Sequence, residues 1–543
     1  MAINPLWRWF DNTFLDLGRQ FRWSYLPPLM IYVAAGVQGL TAIVGTFFIK
    51  EYLDLSAAFL AGLAFWAGVP WTLKMPIGHL VDLVWRRKAL LVYFGATLIT
   101  ASLLIMYGII AHLEVMVSIM QPEAWFVIAT LLAPTGYVIQ DVVADAMTVE
   151  AVPTIDEHGN PYQEADIKVM HTTMQTLGRI AIIGGLAAVG ILNITMFEGV
   201  EDMSEAAKIE TYGQIYLIAL VIPVLSISGV ILGGMILKRR AARLISLGQD
   251  HAAIDRLLFA PAAEVRPNWW ILGGSLVFAV FTLSMGISQV PLAQEIVFTG
   301  SMAIILFLMY RLLLELQPEA RNMLIGTAVI IFIFRAVPSA GPGYSWFTID
   351  ELEFDQQFLS VLQLIGALLT ILGMIVLRPM MAKRPIAFVI VVLTIAGSLL
   401  ILPNIGLYYG LHVWTSAHTG GVVDARFIAV IDTMIESPLG QVAMIPMLAW
   451  IAQNAPPHLK ATFFAVMASF TNLALSASSL GTRYLNEIFV ITREVRDRLA
   501  DITTTAADYS ELGWLLISVA LIGLLVPLLS VLLIQHSRFH SRQ

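Results

Sequence analysis

Two pairs of carboxylates stand in apolar surroundings that have no ordinary use for them. Asp141 and Asp145 lie four residues apart in Gln140-Asp141-Val142-Val143-Ala144-Asp145-Ala146, and Asp432 and Glu436 repeat that spacing near the other end of the chain. On a helix the spacing puts both acids of a pair on one face. Cations occupy comparable surroundings at Arg179 and Arg335, while Lys74 sits closer to the cytoplasmic end. A carboxylate withdrawn from water beside a second one holds a proton more readily. The chemistry open to such a set is uptake and release of a proton while the cations hold an anionic solute. The structural alternative is mutual neutralisation, with the charges locking helices together. That both distant segments carry the pattern favours function for the set as a whole.

The elements that must position these residues are membrane spans. Of 543 residues, 58% are hydrophobic and only 13% charged, about half the charge density of a soluble domain, and the mean hydropathy is +0.79. Soluble enzymes, secreted modules and nucleic-acid-binding proteins are excluded on that ground. The absence of cysteine excludes disulfides, thiolate zinc sites and iron–sulfur clusters. A span needs about 20 apolar residues, and fourteen such stretches can be read: 27–49, 57–80, 89–112, 124–147, 169–194, 212–237, 269–290, 293–315, 322–341, 357–378, 386–409, 425–452, 461–482 and 512–535. No cleaved signal peptide is expected before them; residues 1–26, rich in Trp, Phe and Arg, suit a helix lying in the headgroup layer.

Basic residues set the orientation. Arg86, Arg87, Lys88, Lys238, Arg239, Arg240, Arg243, Lys383 and Arg384 fall on one side together with both chain ends, which predicts cytoplasmic termini. The expected fold is an all-α membrane protein built as a duplicated bundle with an inserted hairpin. It has an N-terminal six-helix bundle over 27–237, a cytoplasmic loop over 238–268, an inserted transmembrane hairpin over 269–317 at the periphery, and a C-terminal six-helix bundle with a cytoplasmic tail over 318–543. The two carboxylate pairs then occupy the fourth span of each bundle, as expected of parallel halves related by an axis along the membrane normal.

Other residues have both a functional and an ordinary reading. Gln38, Gln140, Gln175, Gln363, Gln441 and Asn472 lie within spans and could line a polar cavity, although interhelical hydrogen bonding is the usual role of such groups. Arg335-Ala-Val-Pro-Ser-Ala-Gly-Pro-Gly343 ends the ninth stretch as a hinge or as a simple helix stop. Trp66, Trp71, Tyr137, Tyr344 and Trp346 could stack on a flat ring or anchor helices. The stretch Lys74, Gly78, Asp82 and the cluster Arg86, Arg87, Lys88 has the Gly-x-x-x-Asp spacing followed by cations. It resembles the signature loop of the major facilitator superfamily, and that resemblance implies a gate latch rather than a solute site.

Laid side by side, several segments resemble the folate–biopterin transporter family of that superfamily. They are Tyr32 to Gly39, Trp71-x-x-Lys74-x-Pro76-x-Gly78-x-x-x-Asp82, Gln140 to Ala146 with Glu150, Arg335 to Ala340, Asp432 with Glu436 through Pro446, and Pro456 to Phe464 leading into Ser469 to Asn472. The extra pair at 269–315 departs from the family's usual twelve spans. The resemblance implies a proton-driven symporter of folates or related pterins working by alternating access. Folate is an anion with a flat ring, which suits Arg179 and Arg335 with aromatic neighbours.

A different class of function competes with transport: superfamily members that deliver pigments or assist assembly of membrane complexes. The hairpin could give such a protein a docking face, but it has little reason to keep paired carboxylates. A membrane enzyme or primary pump is not expected, since no metal cluster, Gly-x-Ser-x-Gly or phosphate-binding loop occurs. The expectation is a monomer in the bacterial inner membrane, with a small solute, H⁺ and lipid as its partners and without cofactor or nucleic acid.

Overall fold

The computed structural model describes residues 19–53, 55–156, 160–259, 267, 269–287, 290–314, 316–376, 385–437, 460–497 and 502–539. The fold is helical apart from one small hairpin of strands. Eight helical stretches among the described residues are long and apolar enough to cross a membrane: Trp23–Lys50, Ala89–Ala111, Pro122–Ala151, Thr176–Met196, Glu205–Ser246, Gln356–Gly373, Ile386–Tyr408 and Leu512–Gln535. Their outward side chains are large and apolar, among them Ile191, Leu399 and Leu533. Such a surface is untenable in water and matches lipid.

In chain order the N-terminal part holds α1 (Leu26–Val37), α2 (Ala42–Tyr52), α3 (Ala57–Thr72), α4 (Lys74–Leu83), α5 (Ala89–Ala111), α6 (Leu113–Val117), α7 (Pro122–Ala151), α8 (Glu164–Met196), α9 (Glu205–Ile218), α10 (Val221–Ser246) and α11 (His251–Phe259). Next come α12 (Trp269–Ile287) and α13 (Ala293–Leu313). The C-terminal part holds α14 (Pro318–Arg335), α15 (Pro342–Asp350), α16 (Gln356–Val376), α17 (Ile386–Tyr408), α18 (Leu411–His418), α19 (Ala425–Glu436), α20 (Lys460–Ile488), the antiparallel strands β1 (Val495–Asp497) and β2 (Ile502–Thr505), and α21 (Leu512–Gln535).

Helices within the N-terminal part approach closely where glycine faces glycine. A Cβ on Gly36 would lie 2.0 Å from the Ile182 carbonyl oxygen, and one on Gly95 would lie 2.7 Å from that of Gly136. These contacts fix the crossings of α1 with α8 and α5 with α7. The two parts meet along two seams, α3 against α20 and α8 against α16. Helix α13 packs against both α3 and α20, and α12 against α13 and α4.

Two details differ from the pattern read in the sequence, and a third completes it. The described residues of the stretch 238–268 are largely helical: α10 runs on to Ser246, and α11 follows because Leu244, Ile254 and Leu258 bury a common apolar face. The sixth stretch is two helices, α9 and α10, joined at Ala219–Leu220. The Pro- and Gly-rich segment after Arg335 stops α14, as one of its two readings had it, with its backbone tied down. Helix α14 ends there, α15 continues beyond it, and the freed backbone groups are bonded by one face of α20. Thr482 Oγ1 accepts from Ser339 N at 3.0 Å, Ser478 donates to Val337 O at 2.7 Å, and Asn486 donates to Ala340 O at 3.2 Å. Most of residues 1–26, the second half of the stretch 425–452, Gln441, and the Pro456–Pro457 segment lie outside the described residues.

Candidate functional site

Helix α3 contains Pro70 and breaks at Leu73, and α4 restarts at Lys74. Pro76 has no N–H to return to the Thr72 carbonyl. Side chains of α20 fill in across the seam: Asn472 Nδ2 donates to Trp71 O at 3.3 Å and Ser469 Oγ to Thr72 O at 3.5 Å. The break aims Lys74 at α7. Its Nζ lies 2.6 Å from Asp141 Oδ2 and 2.8 Å from Asp145 Oδ2, so one ammonium serves both acids. The second oxygen of Asp145 accepts from the Tyr32 hydroxyl of α1 at 2.7 Å. Gly178 of α8 makes room for Tyr32, because a Cβ there would stand 2.9 Å from its ring. The next residue, Arg179, is exposed, forms no ion pair with a described residue, and lies within electrostatic reach of Asp141 and Tyr32. The cluster thus holds two carboxylates, one ammonium between them, and a nearby guanidinium that forms no ion pair with a described residue.

The matching place in the C-terminal part is built differently. Asp432 of α19 is 9% exposed, and its Oδ1 is buried without a hydrogen-bond partner. Asn404 of α17 lies beside the Asp432 carboxylate, and the Tyr344 hydroxyl of α15 donates to Asn404 Oδ1 at 2.7 Å. Glu436, one turn along α19, is exposed but close enough to act on Asp432. No described cation pairs with either acid. Arg335, half-buried at the end of α14, likewise has no ion pair among the described residues. No hydrogen bond or ion pair among the described residues joins the two clusters.

The remaining residues singled out in the sequence are dispersed. Gly78 packs toward Val142 of α7, placing a Cβ 3.8 Å from its methyl. Asp82 is exposed near His79. Arg86 pairs with Asp255 of α11 at 2.5 Å, Lys88 pairs with Glu150 of α7 at 2.9 Å and covers the Trp85 ring, and Arg87 is exposed. The loop after α4 therefore ties parts of its own half together, while Lys74 belongs with the carboxylates. Gln38 is exposed, and the Gln175 side chain lies outside the described residues. Gln140 is structural, donating to Val92 O at 3.2 Å and accepting from Ser226 at 2.9 Å. Trp66 packs edge-on to Phe65 beneath the hairpin.

A second set of polar contacts was not signalled by the sequence. It lies at the end of the bundle where α2 and α15 finish. Lys50 pairs with Asp350, which also accepts from the Tyr509 hydroxyl. Burial, and then that carboxylate, hold the Tyr509 phenol well above its usual range. Arg493, 3% exposed in the segment before β1, donates to the carbonyls of Lys50 at 3.0 Å, Leu55 at 2.6 Å and Ile49 at 2.9 Å, and to that of Leu53. Its guanidinium lies 4.2 Å from the centre of the Trp346 ring. One arginine thus satisfies the open C-terminal end of α2 and fastens it to the other half.

Comparison with known proteins agrees with this architecture. Residues 271–542, half of the chain, match the BT1 family. A folate-biopterin transporter of Synechocystis is 23% identical over 477 residues, covering 87% of this chain and 76% of that protein. Among solved structures, a POT family transporter in complex with 5-aminolevulinic acid superposes with a TM-score of 0.59 at 11% identity over 96% of each chain. A peptide transporter POT in complex with sulfate gives 0.57 at 14% identity, covering 95% of this chain and 94% of that one. The nucleoside transporter NupG gives 0.52 at 12% identity, covering 95% of this chain and 100% of that one. At such identities these likenesses establish a shared major-facilitator-like fold.

Proposed function

The chain belongs to the BT1 family, an integral multi-pass membrane transport protein rather than an enzyme, and on that premise we propose a secondary active transporter of a small anionic solute of the folate or pterin class. Transport is driven by protons and proceeds by alternating access. The observation that carries this reading is the sharing of Lys74 between Asp141 and Asp145. Two carboxylates around one ammonium leave one negative charge over, and a single proton removes it. Asp432 and Glu436 add acids, and Arg179 and Arg335 add cations, that form no ion pair among the described residues. Charge balance in a low-dielectric interior is then reached when protons neutralise surplus carboxylates and an anionic solute meets the arginines. A proton and an anion entering together is symport.

The reading extends to the topology. Fourteen spans form two six-helix bundles with α12 and α13 inserted between them, and both termini lie in the cytoplasm of a bacterial inner membrane, as the distribution of Arg and Lys requires. The far-end set, Lys50 with Asp350 and Arg493 with α2, is then the external gate in its closed position.

Uptake into proteoliposomes under an imposed pH gradient, with folate and a pterin as solutes, tests the proposal. Accumulation should follow the gradient in the parent protein and collapse in Asp141→Asn, Asp145→Asn and Glu436→Gln. Gradient-driven accumulation left intact by all three substitutions would discard the mechanism.

A further inference from the structure

We infer that the cytoplasmic foot of the N-terminal bundle carries a site for the phosphate of an anionic membrane lipid, formed by Arg22, Arg240, Tyr25 and Tyr162 and separate from the solute path. Arg22 precedes α1, Arg240 lies on α10, and both grip the short connection between α7 and α8. Arg22 Nη1 donates to the Tyr162 hydroxyl at 3.2 Å, with its guanidinium 5.3 Å from the centre of that ring. Arg240 Nη2 donates to the Ile155 carbonyl at 2.8 Å. Ile155 and Tyr162 belong to one tight hairpin, closed by the Tyr162 N to Thr154 O bond and the pairing of Ile155 with Pro161.

Donors outnumber acceptors among the described residues there. A guanidinium has five N–H groups, and each arginine has only one described hydrogen bond, to a neutral oxygen. Neither has a carboxylate partner among the described residues, and the two lie within electrostatic reach of each other. Asp156, the described acid of the same connection, accepts from Asn160 N and Nδ2. Tyr162, having accepted from Arg22, still has its own hydrogen to give. Tyr25 is fully buried beside Arg22 and Tyr162, and its hydroxyl, which the Arg22 guanidinium approaches, has no well-formed hydrogen bond among the described residues. Buried polar groups are normally satisfied, and facing guanidiniums repel unless an anion stands between them. A tetrahedral oxyanion answers both requirements, accepting from two forks and two phenols.

The surroundings point to lipid as the source. Trp23, 75% exposed, and Phe21, 38% exposed, flank Arg22 on the outside of the bundle, where aromatic side chains settle at the headgroup level. A phospholipid there would staple α1, α10 and the α7–α8 connection together through one phosphate.

The test is thermal unfolding of the purified full-length protein in detergent, with phosphatidylglycerol, phosphatidylcholine or inorganic phosphate added. Phosphatidylglycerol should raise the midpoint of the parent protein in a saturable way and phosphatidylcholine should not. The rise should vanish in the Arg22→Gln/Arg240→Gln double variant and need more lipid in Tyr25→Phe. It should persist in Arg239→Gln, which removes an exposed cation of the same helix. If the double variant does not fold, Arg240→Gln alone and native mass spectrometry of retained lipid give the same comparison. A rise that survives loss of Arg22 and Arg240, or that Arg239→Gln removes equally, would show diffuse surface attraction and overturn the site. A rise with inorganic phosphate that phosphatidylglycerol cannot exceed would overturn the lipid assignment.

Discussion

Lys50, at the end of α2, is paired with Asp350, at the end of α15, across the boundary between the two halves of the bundle. If the pair and the adjoining Arg493 contacts form a closed gate, weakening them should open it. The chain has no native cysteine, so a single Ala57→Cys, at a position 1% exposed beside Trp346, can report opening without background. Asp350→Asn should raise the rate at which a membrane-impermeant maleimide labels that cysteine, and Arg493→Gln should raise it further because four carbonyls lose their donor together. Unchanged labelling in both would leave these contacts a static brace.

Lys74 holds two acids, so removing it should do more damage than removing either acid. Lys74→Met leaves Asp141 and Asp145 facing each other without a cation. Breaking a buried pair from one side costs about 3 kcal/mol or more, and the low end applies because the Lys74 side chain keeps 29% exposure. The double variant Lys74→Met/Asp145→Asn should regain much of that stability in a thermal-shift assay yet remain inactive in uptake. Recovery of uptake along with stability would mean that Lys74 serves the fold alone.

Tyr32 is placed by Gly178 and bonded to Asp145. Tyr32→Phe removes one hydrogen bond to a charged group, a loss of about 1.5–3 kcal/mol in an interior. Gly178→Ala should have a similar effect from the other side by displacing the ring. Both should depress uptake, and their double variant should be no worse than the poorer single one, because they act on the same contact. Additive losses would separate the two residues.

How much of this was readable in the sequence depends on distance along the chain. The apolar runs gave the helices because twenty residues of one character leave little choice, and the acids at 141 and 145, or 432 and 436, share a face by helical period alone. The Pro and Gly content of 336–343 likewise announced the interruption between α14 and α15. Pairings across helices were not readable. Lys74 was assigned to a gate through its neighbours in sequence, whereas its partners include an acid 67 residues away, and Asn404 carries no signal that it faces Asp432. Arg493 lies in a segment mixed with Glu494, Arg496 and Asp497, which reads as a solvated loop. Only the tertiary contact with the end of α2 reveals it as buried.

Asp432 should respond to neutralisation in the opposite sense from Lys74. Its Oδ1 is buried with no donor, and no described cation offsets its charge, so the ionised side chain is a cost to the fold rather than a support. Asp432→Asn removes the charge while keeping the shape, and should raise stability by about 1 kcal/mol or more. The same change takes away a site at which a proton can be loaded. Solute counterflow, which needs no net proton movement, should then persist while accumulation driven by a pH gradient falls to the level of empty vesicles. A variant that loses stability would mean the carboxylate has a compensating donor. One that still accumulates solute would place proton loading elsewhere, with the Asp141–Lys74–Asp145 cluster the next group to examine.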